Sequence, residues 1–174
     1  MKRLLLVIDY QHDFIDGSLG FLSAPLLAQG IKNLIISFRE ANEDVIFTMD
    51  THHSHYLETQ EGKQLPVMHC IENTQGHEIY HKIKDVMKPE DIIFKKPTFG
   101  SMALGNYLKN KDYDVIEIVG LVTNICVISN AIIAKSALPE AKIIIHKNLC
   151  ASFSDDLHEK AIDVMKSLQM HIVE

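Results

Sequence analysis

One cysteine of this sequence stands where a nucleophile would be expected. The segment Gly120–Ile125 comes directly after the apolar run Val115–Val119. Cys126 follows this segment and lies at the start of a stretch with helical spacing. The start of a helix offers free backbone N–H groups and a positive dipole end, which lower a thiol pKa and can hold an oxyanion. A small buried core cysteine is an equally supported interpretation. Position alone therefore makes Cys126 a candidate nucleophile for acyl transfer.

Two further residues capable of proton chemistry also follow apolar runs. Asp9 comes directly after Leu4–Ile8, and Lys96 follows Asp91–Phe94. A partly buried carboxylate beside a lysine can take a proton from a thiol near neutral pH, and a lysine can stabilise the resulting anion. Taken singly, each is more simply explained as a salt-bridge partner or solvated charge. Their chemical role depends on whether the fold brings them to Cys126.

A histidine-rich stretch is a candidate metal site. The segment Asp50–His55 reads Asp-Thr-His-His-Ser-His, and it is followed by Glu58, Glu61 and the pair His69–Cys70. An aspartate and a histidine two positions apart project to the same side of an extended chain. Nitrogen and carboxylate ligands suit zinc, iron or manganese. A polar surface loop is the alternative, but three histidines beside two acids favour a metal.

Composition excludes several classes of protein. The chain has 174 residues and a formal charge of −6 with histidine neutral, and it contains no long basic run, which argues against a nucleic-acid-binding surface. No apolar segment approaches the roughly 20 residues that a membrane-spanning helix needs. The three cysteines have irregular spacing, which is a poor disulfide framework and favours a reducing cytoplasm.

Short apolar runs alternate with segments of helical period about six times along the chain. This alternation is typical of βαβ units, and the length favours one domain over residues 1–174. We therefore predict a doubly wound α/β fold, with a mainly parallel six-stranded sheet and helices on both faces. The predicted strands are Leu4–Ile8, Val45–Met49, Asp91–Phe94, Val115–Val119, Lys142–Ile145 and His171–Val173. The predicted helices are Ala24–Asn42, Ile79–Met87, Met102–Asn110, Asn124–Ala137 and Asp155–Leu168.

The predicted strands place the candidate residues along one edge. In open α/β sheets, ligands bind beyond the carboxyl ends of the strands. Asp9, Asp50, Lys95 or Lys96, and the loop Gly120–Cys126 all follow such ends. The glycines form neither a dinucleotide-binding fingerprint nor a phosphate-binding loop, and no G-x-S-x-G is present. The pattern thus indicates a site with two acids, a lysine and a cysteine.

The order of these motifs resembles the isochorismatase-like cysteine hydrolases, and within them the nicotinamidase branch. The resemblance runs through nearly the whole chain and depends on five motifs in sequence. They are Ile8–Phe14, Asp50–His52, His69–Cys70 leading to Gly76, Lys96–Ser101 and Gly120–Val127. Each motif is weak alone, whereas all five in this order at strand ends are specific.

The resemblance implies a catalytic triad of Asp9, Lys96 and Cys126. Cys126 would attack the amide carbon of a small substrate, Asp9 would carry the proton to the leaving ammonia, and Lys96 would hold the charged groups in place. The family's oxyanion hole corresponds to the backbone N–H groups of Val122 and Cys126. A cis peptide bond usually precedes the first of these, here between Leu121 and Val122.

The same resemblance implies a divalent metal, zinc in the first instance, with iron or manganese as alternatives. Its ligands would be Asp50, His52 and His69, with Glu61 or His55 as a further ligand. The metal of that branch binds the pyridine nitrogen and orients the ring. The expected reaction is the hydrolysis of nicotinamide to nicotinate and ammonia, by a cytoplasmic protein that forms a homo-oligomer and binds neither nucleic acid nor membranes.

One departure from the branch concerns the substrate pocket. The segment Leu65–His69 reads Leu-Pro-Val-Met-His and lacks the aromatic residue that nicotinamide-cleaving members usually carry there. Phe14 and Phe99 remain available to sandwich a flat ring. Two alternatives therefore stay open. One is a related cysteine hydrolase of N-carbamoyl or other small amides, and the other is a non-catalytic binding subunit on the same fold.

Overall fold

A computed structural model describes residues 1–174 and contains one six-stranded sheet, in which every neighbouring pair of strands is parallel. The strand order is β3-β2-β1-β4-β5-β6. The predicted six-stranded, doubly wound α/β class is confirmed. The strands are β1 (Arg3–Ile8), β2 (Asp44–Asp50), β3 (Ile92–Lys96), β4 (Val115–Leu121), β5 (Lys142–Ala151) and β6 (His171–Val173).

Seven α-helices connect the strands, and several are a single turn. No helix is both long enough and apolar enough to cross a membrane. Short 3₁₀ turns lie at Ala24–Leu27, Tyr56–Glu58 and Gln75–His77, and a turn of π-helix covers Thr123–Val127. The α-helices are α1 (His12–Ile15), α2 (Ala28–Glu40), α3 (Gln60–Gln64), α4 (His81–Lys84), α5 (Met102–Leu108), α6 (Ile128–Ala137) and α7 (Asp155–Ser167).

The sheet is buried on both faces, which explains the unbroken apolar run of β1. Its alternate residues Leu5 and Val7 belong to the core on one face, against α1, α2 and α4. Leu4, Leu6 and Ile8 belong to the core on the other face, against α5, α6 and α7. β1 therefore has no solvent-facing position after Arg3, and the first polar residue, Asp9, comes directly after its end.

Several elements differ from their predicted bounds, and the helices expected over Ala24–Asn42 and Asn124–Ala137 are α-helical only over Ala28–Glu40 and Ile128–Ala137. For two other elements a tertiary contact explains the difference. The predicted helix Ile79–Met87 is helical only over His81–Lys84, because Ile79 pairs with Gln11 in an isolated antiparallel bridge. Strand β5 extends well past its predicted end, because after an irregularity Cys150 pairs with Gly120 on β4. Pairing with a neighbouring strand overrides the local sequence pattern.

Gly120 lies within β4 at a position that has no room for a side chain. Its φ is +121°, and an added Cβ would lie 2.1 Å from the carbonyl oxygen of Ile8 on the adjacent strand. Gly120→Ala is therefore expected to lower the free energy of unfolding by about 3 kcal/mol or more, since both strands are central. Scanning calorimetry should record a fall in Tm on the order of 10 °C.

Gly30→Ala provides the matched control for this substitution. An added Cβ at Gly30 would meet only the end of the Leu149 side chain, which can rotate away, at 2.4 Å. Alanine also improves the helix propensity of α2 by about 1 kcal/mol, which offsets the contact. A Gly120→Ala protein with the Tm of the wild type would contradict the confinement inferred here.

Candidate active site

The carboxyl ends of four adjacent strands meet at one edge of the sheet. Strand β1 ends at Ile8, directly before Asp9, while β2 ends at Asp50 and β3 at Lys96. Strand β4 leads through Val122 into the π-helical turn that carries Cys126. The strand order reverses beside β1, which is where ligands bind in open α/β sheets. The edge therefore assembles side chains that lie far apart in the sequence.

Lys96 lies at the centre of a buried charged group. Its Nζ is 2.6 Å from Oδ2 of Asp9 and 3.5 Å from Sγ of Cys126. It also donates to the carbonyl oxygen of Thr98 at 3.0 Å and lies 3.4 Å from Oδ1 of Asp50. All of the side chains of Asp9, Lys96, Asp50 and Cys126 are buried. The structure thus brings together the three residues that the sequence indicated for proton and thiol chemistry.

Burial determines the protonation of this group. Burial raises the pKa of Asp9, and the ammonium of Lys96 only partly opposes it. Burial, followed by the charge of Asp9, also raises the pKa of Cys126 well above its usual value. Burial alone would lower the pKa of Lys96, but Asp9 and the other nearby anions raise it. Lys96 therefore stays charged, and the resting thiol keeps its proton.

The raised thiol pKa corrects one expectation from the sequence. A helix start at Cys126 was expected to lower the thiol pKa. The thiol is 5% exposed, so desolvation of the anion outweighs the helix end. A nucleophile in such a place needs a base to remove its proton during the reaction. The raised pKa of Asp9 makes its carboxylate a stronger proton acceptor than an exposed one.

The backbone around the thiol has two unusual features. The peptide bond between Leu121 and Val122 is cis, and Gly120 has positive φ. The N–H of Val127 donates to the carbonyl oxygen of Val122 at 3.2 Å, which closes the wide π-helical turn. Val122 and Cys126 line the same cavity. The two residues that the family resemblance implied for an oxyanion hole therefore line one cavity beside the thiol.

A small apolar cavity of about 40 Å³ lies against the Cys126 thiol. Phe14 and Phe99, the two rings expected to sandwich a flat substrate, both line it, and so does Leu65. A larger cavity of about 560 Å³ shares Phe99 and Leu65 with the small one and extends outward from them. Ile125 of the motif Gly120–Val127 also lines the small cavity, and so do Leu19 and Phe153, which belong to no motif.

Four ligand-type side chains form a cluster beside this cavity. One nitrogen or carboxylate oxygen from each lies within 4.8 Å of the others, and the four residues are Asp50, His52, Glu61 and His69. Nε2 of His52 is 3.1 Å from Oδ2 of Asp50, and Nε2 of His69 is 3.4 Å from the same oxygen. Glu61 lies 3.5 Å from His52. His55, the competing candidate, is outside the cluster and stacks on His53 instead.

The donor set and its surroundings fit a divalent metal. Two imidazole nitrogens and two carboxylates are ligands that zinc, iron and manganese accept. His69 uses Nδ1 for the carbonyl oxygen of Val67 at 2.8 Å, which leaves Nε2 for the cluster. Burial would raise the pKa of Asp50, but hydrogen bonds from His52 and His69 hold it well below its ordinary value. Asp50 is thus an anion ready to bind a cation.

Buried polar side chains hold the ligand segments in place. Gln11 is fully buried, donates to the carbonyl oxygen of Asp50 at 2.9 Å and accepts from the N–H of Asp50 at 2.8 Å. Asp13 accepts from the N–H of Cys70 at 2.7 Å, next to His69. Both residues belong to the motif Ile8–Phe14, but the sequence assigned a role to neither of them. They fix the backbone from which two of the cluster ligands project.

Asn130 of α6 is a third supporting residue, and the sequence offered no signal for it. Its side chain donates to the carbonyl oxygens of Cys126 at 2.8 Å and Phe99 at 3.0 Å. It also accepts from the N–H of Ser101 at 2.9 Å. One buried amide therefore ties the segment after Lys96 to the turn that carries the thiol.

The fold and this site together define the family. Residues 3–174 match the model of the isochorismatase domain. Because the match covers nearly the whole chain, the protein belongs to the isochorismatase family.

Individual relatives are similar over most or all of their length. The nicotinamidase of Acinetobacter baylyi is 29% identical to this chain over an alignment of 196 residues. The alignment covers 95% of this chain and 84% of the relative. The crystal structure of nicotinamidase/pyrazinamidase PncA from Bacillus subtilis has a TM-score of 0.87 and 28% identity, and the match covers 100% of both chains.

A further solved structure shares the fold. The pyrazinamidase of Pyrococcus horikoshii, determined in complex with zinc, has a TM-score of 0.85 at 23% identity, with 100% of this chain and 99% of that chain covered. This chain and these two solved structures therefore share one fold over nearly their whole length.

Proposed function

We propose that the protein is a cysteine amidohydrolase that converts nicotinamide to nicotinate and ammonia. The observation that carries this proposal is the buried Lys96, whose Nζ lies 2.6 Å from Asp9 and 3.5 Å from the Cys126 thiol. A base, a cation and a thiol in contact are the parts that acyl transfer to sulfur needs. The similarity to nicotinamidases over nearly the whole chain supports the substrate.

The first half of the proposed reaction forms an acyl-enzyme. Asp9 takes the proton of Cys126, and the sulfur attacks the carboxamide carbon while the carbonyl electron pair moves to oxygen. The N–H groups of Val122 and Cys126 hold that oxyanion. When the carbonyl re-forms, the carbon–nitrogen bond breaks, and the departing nitrogen takes the proton from Asp9 and leaves as ammonia. Lys96 keeps its charge throughout and stabilises each anion in turn.

The second half hydrolyses the thioester. A water molecule gives a proton to Asp9 as its oxygen bonds to the acyl carbon, and the carbon–sulfur bond breaks as the carbonyl re-forms. The thiolate regains the proton from Asp9, and the acid is released with its proton lost to solvent. The apolar cavity lined by Phe14, Phe99 and Phe153 suits a flat aromatic ring.

We propose that Asp50, His52, Glu61 and His69 hold a divalent metal, with zinc first and iron or manganese as alternatives. A metal held by these four residues would supply a Lewis acid for the ring nitrogen of the substrate. The four-residue cluster and the zinc in the pyrazinamidase of Pyrococcus horikoshii support this assignment. The remaining steps belong to the residues of the chain itself.

The ligand assignment predicts that substitutions at Glu61 and at His55 affect zinc binding differently. Glu61→Gln is expected to weaken zinc binding by at least about tenfold, because it replaces a charged ligand of the cluster with a neutral one. His55→Gln is the matched control and should bind zinc like the wild type, since His55 lies outside the cluster. Titration against a chelating zinc indicator measures both affinities. Loss of zinc in the His55 variant alone would assign the fourth ligand to His55.

A second candidate function rests on Leu65. This side chain lines the cavity at a segment without an aromatic residue, so the wall there is aliphatic. Hydrolysis of an N-carbamoyl compound or another small amide is therefore the alternative. A non-catalytic binding subunit is disfavoured by the contacts among Asp9, Lys96 and Cys126.

Ammonia release from nicotinamide by the zinc-loaded protein tests the proposed function. The expected products are nicotinate and ammonia in equal amounts. If the protein releases none from nicotinamide but does from another small amide, the second candidate replaces the first. Absence of release from any amide would overturn the amidohydrolase assignment.

We also propose that residues 1–174 form a single hydrolase domain, supported by the match over residues 3–174. A cytoplasmic location is supported by the three cysteines, all free and buried. The homo-oligomer expected from the family resemblance stays a prediction, and sedimentation of the purified protein tests it.

A further inference from the structure

We propose that Thr48 is a positioning residue that orients the carboxylate of Asp9 toward the Cys126 thiol. This inference rests on the proposed function, because it concerns the residue that is the base in that reaction. Thr48 lies on β2, is fully buried and belongs to none of the motifs that the sequence singles out.

Thr48 contacts Asp9 at two atoms. The hydroxyl of Thr48 donates to Oδ1 of Asp9 at 2.6 Å, and the N–H of Asp9 approaches the same hydroxyl oxygen at 3.2 Å. The N–H of Asp9 also approaches the carbonyl oxygen of Thr48 at 3.3 Å. The backbone of Asp9 therefore keeps a partner without the hydroxyl, whereas Oδ1 depends on it.

The hydroxyl leaves the other oxygen of Asp9 in a defined place. Oδ2 pairs with the ammonium of Lys96 at 2.6 Å, and a carboxylate oxygen that holds one such partner still has a lone pair for a second donor. Asp9 also has a left-handed backbone conformation with φ of 44°, which is uncommon for a residue with a side chain. With Oδ1 bound to Thr48, Oδ2 remains free to accept the thiol proton.

Loss of the hydroxyl allows the carboxylate to rotate about its last bond. In Thr48→Val the side chain keeps its shape, but Oδ1 loses its donor and the ammonium of Lys96 can attract either oxygen. Because displacement of a catalytic group by about 1 Å can cost about 100-fold in rate, kcat is expected to fall about 100-fold. Neither Thr48 nor Asp9 lines the cavity proposed for the substrate ring, so KM for nicotinamide should not change.

The experiment compares the zinc-loaded wild type with Thr48→Val and Thr48→Ser. Serine keeps the hydroxyl and loses only a methyl group, so it should recover most of the lost kcat. The rate at which iodoacetamide alkylates Cys126, located by mass spectrometry, provides a second measurement without nicotinamide. It should fall in Thr48→Val and recover in Thr48→Ser, because the same base activates the thiol.

The outcomes separate this inference from the proposed function. Wild-type kcat and wild-type alkylation in Thr48→Val would overturn the role of Thr48. Equal losses in the valine and serine variants would also overturn it, since they would indicate packing rather than the hydroxyl. If the wild type releases no ammonia from nicotinamide, the proposed function fails, and the alkylation rates still decide whether Thr48 acts on the thiol through Asp9.

Discussion

Cys126→Ala is expected to lower the release of ammonia from nicotinamide by at least about 10⁴-fold, because no acyl-thioester can form without the sulfur. The other parts of the site remain in this variant. Lys96 keeps its 2.6 Å contact with Asp9, and the metal cluster does not involve the thiol. The variant should therefore bind zinc and substrate while it fails to turn over.

Cys150→Ala is the matched control for the nucleophile. Cys150 is also free and buried, and burial also raises the pKa of its thiol. Its Sγ lies 4.0 Å from the carbonyl oxygen of Ile118 on the neighbouring strand, and Cys150 lines neither cavity of the site, so the substitution should leave kcat intact. A coupled assay for ammonia measures both proteins. Turnover that persists in Cys126→Ala and disappears in Cys150→Ala would show that the nucleophile is Cys150 and that the assignment to Cys126 is wrong.

Lys96→Met is expected to lower kcat/KM by at least about 10³-fold and the free energy of unfolding by about 3 kcal/mol. The lysine is the cation that contacts both Asp9 and Asp50, and methionine would leave two buried carboxylates without it. Lys96 opposes the effect of burial on Asp9, so its loss raises the pKa of Asp9 further. A carboxyl group that is already protonated cannot accept the proton of the thiol.

Lys95→Met is the control for Lys96→Met, because the two lysines are adjacent and differ in burial. The Lys95 side chain is 54% exposed and pairs with Glu72 on the surface, a contact worth little to stability. Nicotinamide kinetics and urea unfolding should show wild-type behaviour for Lys95→Met and large losses for Lys96→Met. Similar kinetics for the two variants would remove Lys96 from the mechanism.

The sequence was sufficient to predict the fold class because both faces of the sheet are covered. Strands such as β1 then become unbroken apolar runs that end abruptly at a polar residue, and Asp9, Asp50 and Lys96 are such residues. The edge that gathers them follows from strand direction alone. The choice between Glu61 and His55 did not follow, since both lie in one polar stretch whose short helices have no clear periodicity.

Several residues of the site left no signal in the sequence. Phe153 lines the cavity because β5 continues to Ala151, well past the end that its apolar pattern indicated. Asn130 and Thr48 look like ordinary polar positions in a helix and a strand. Their hydrogen-bond partners come from other elements, so only the assembled structure reveals them.

The strand order of the sheet has a consequence for how the chain acquires its site. Asp9, Asp50, Lys96 and Cys126 come from four strands, and β1 is paired with β2 on one side and with β4 on the other. No partly folded form with only the first two or three strands contains the thiol, the base and the lysine together. Parallel pairings between distant segments also form late and slowly. The capacity to react should therefore emerge only after β4 and the turn that follows it have joined the first three strands.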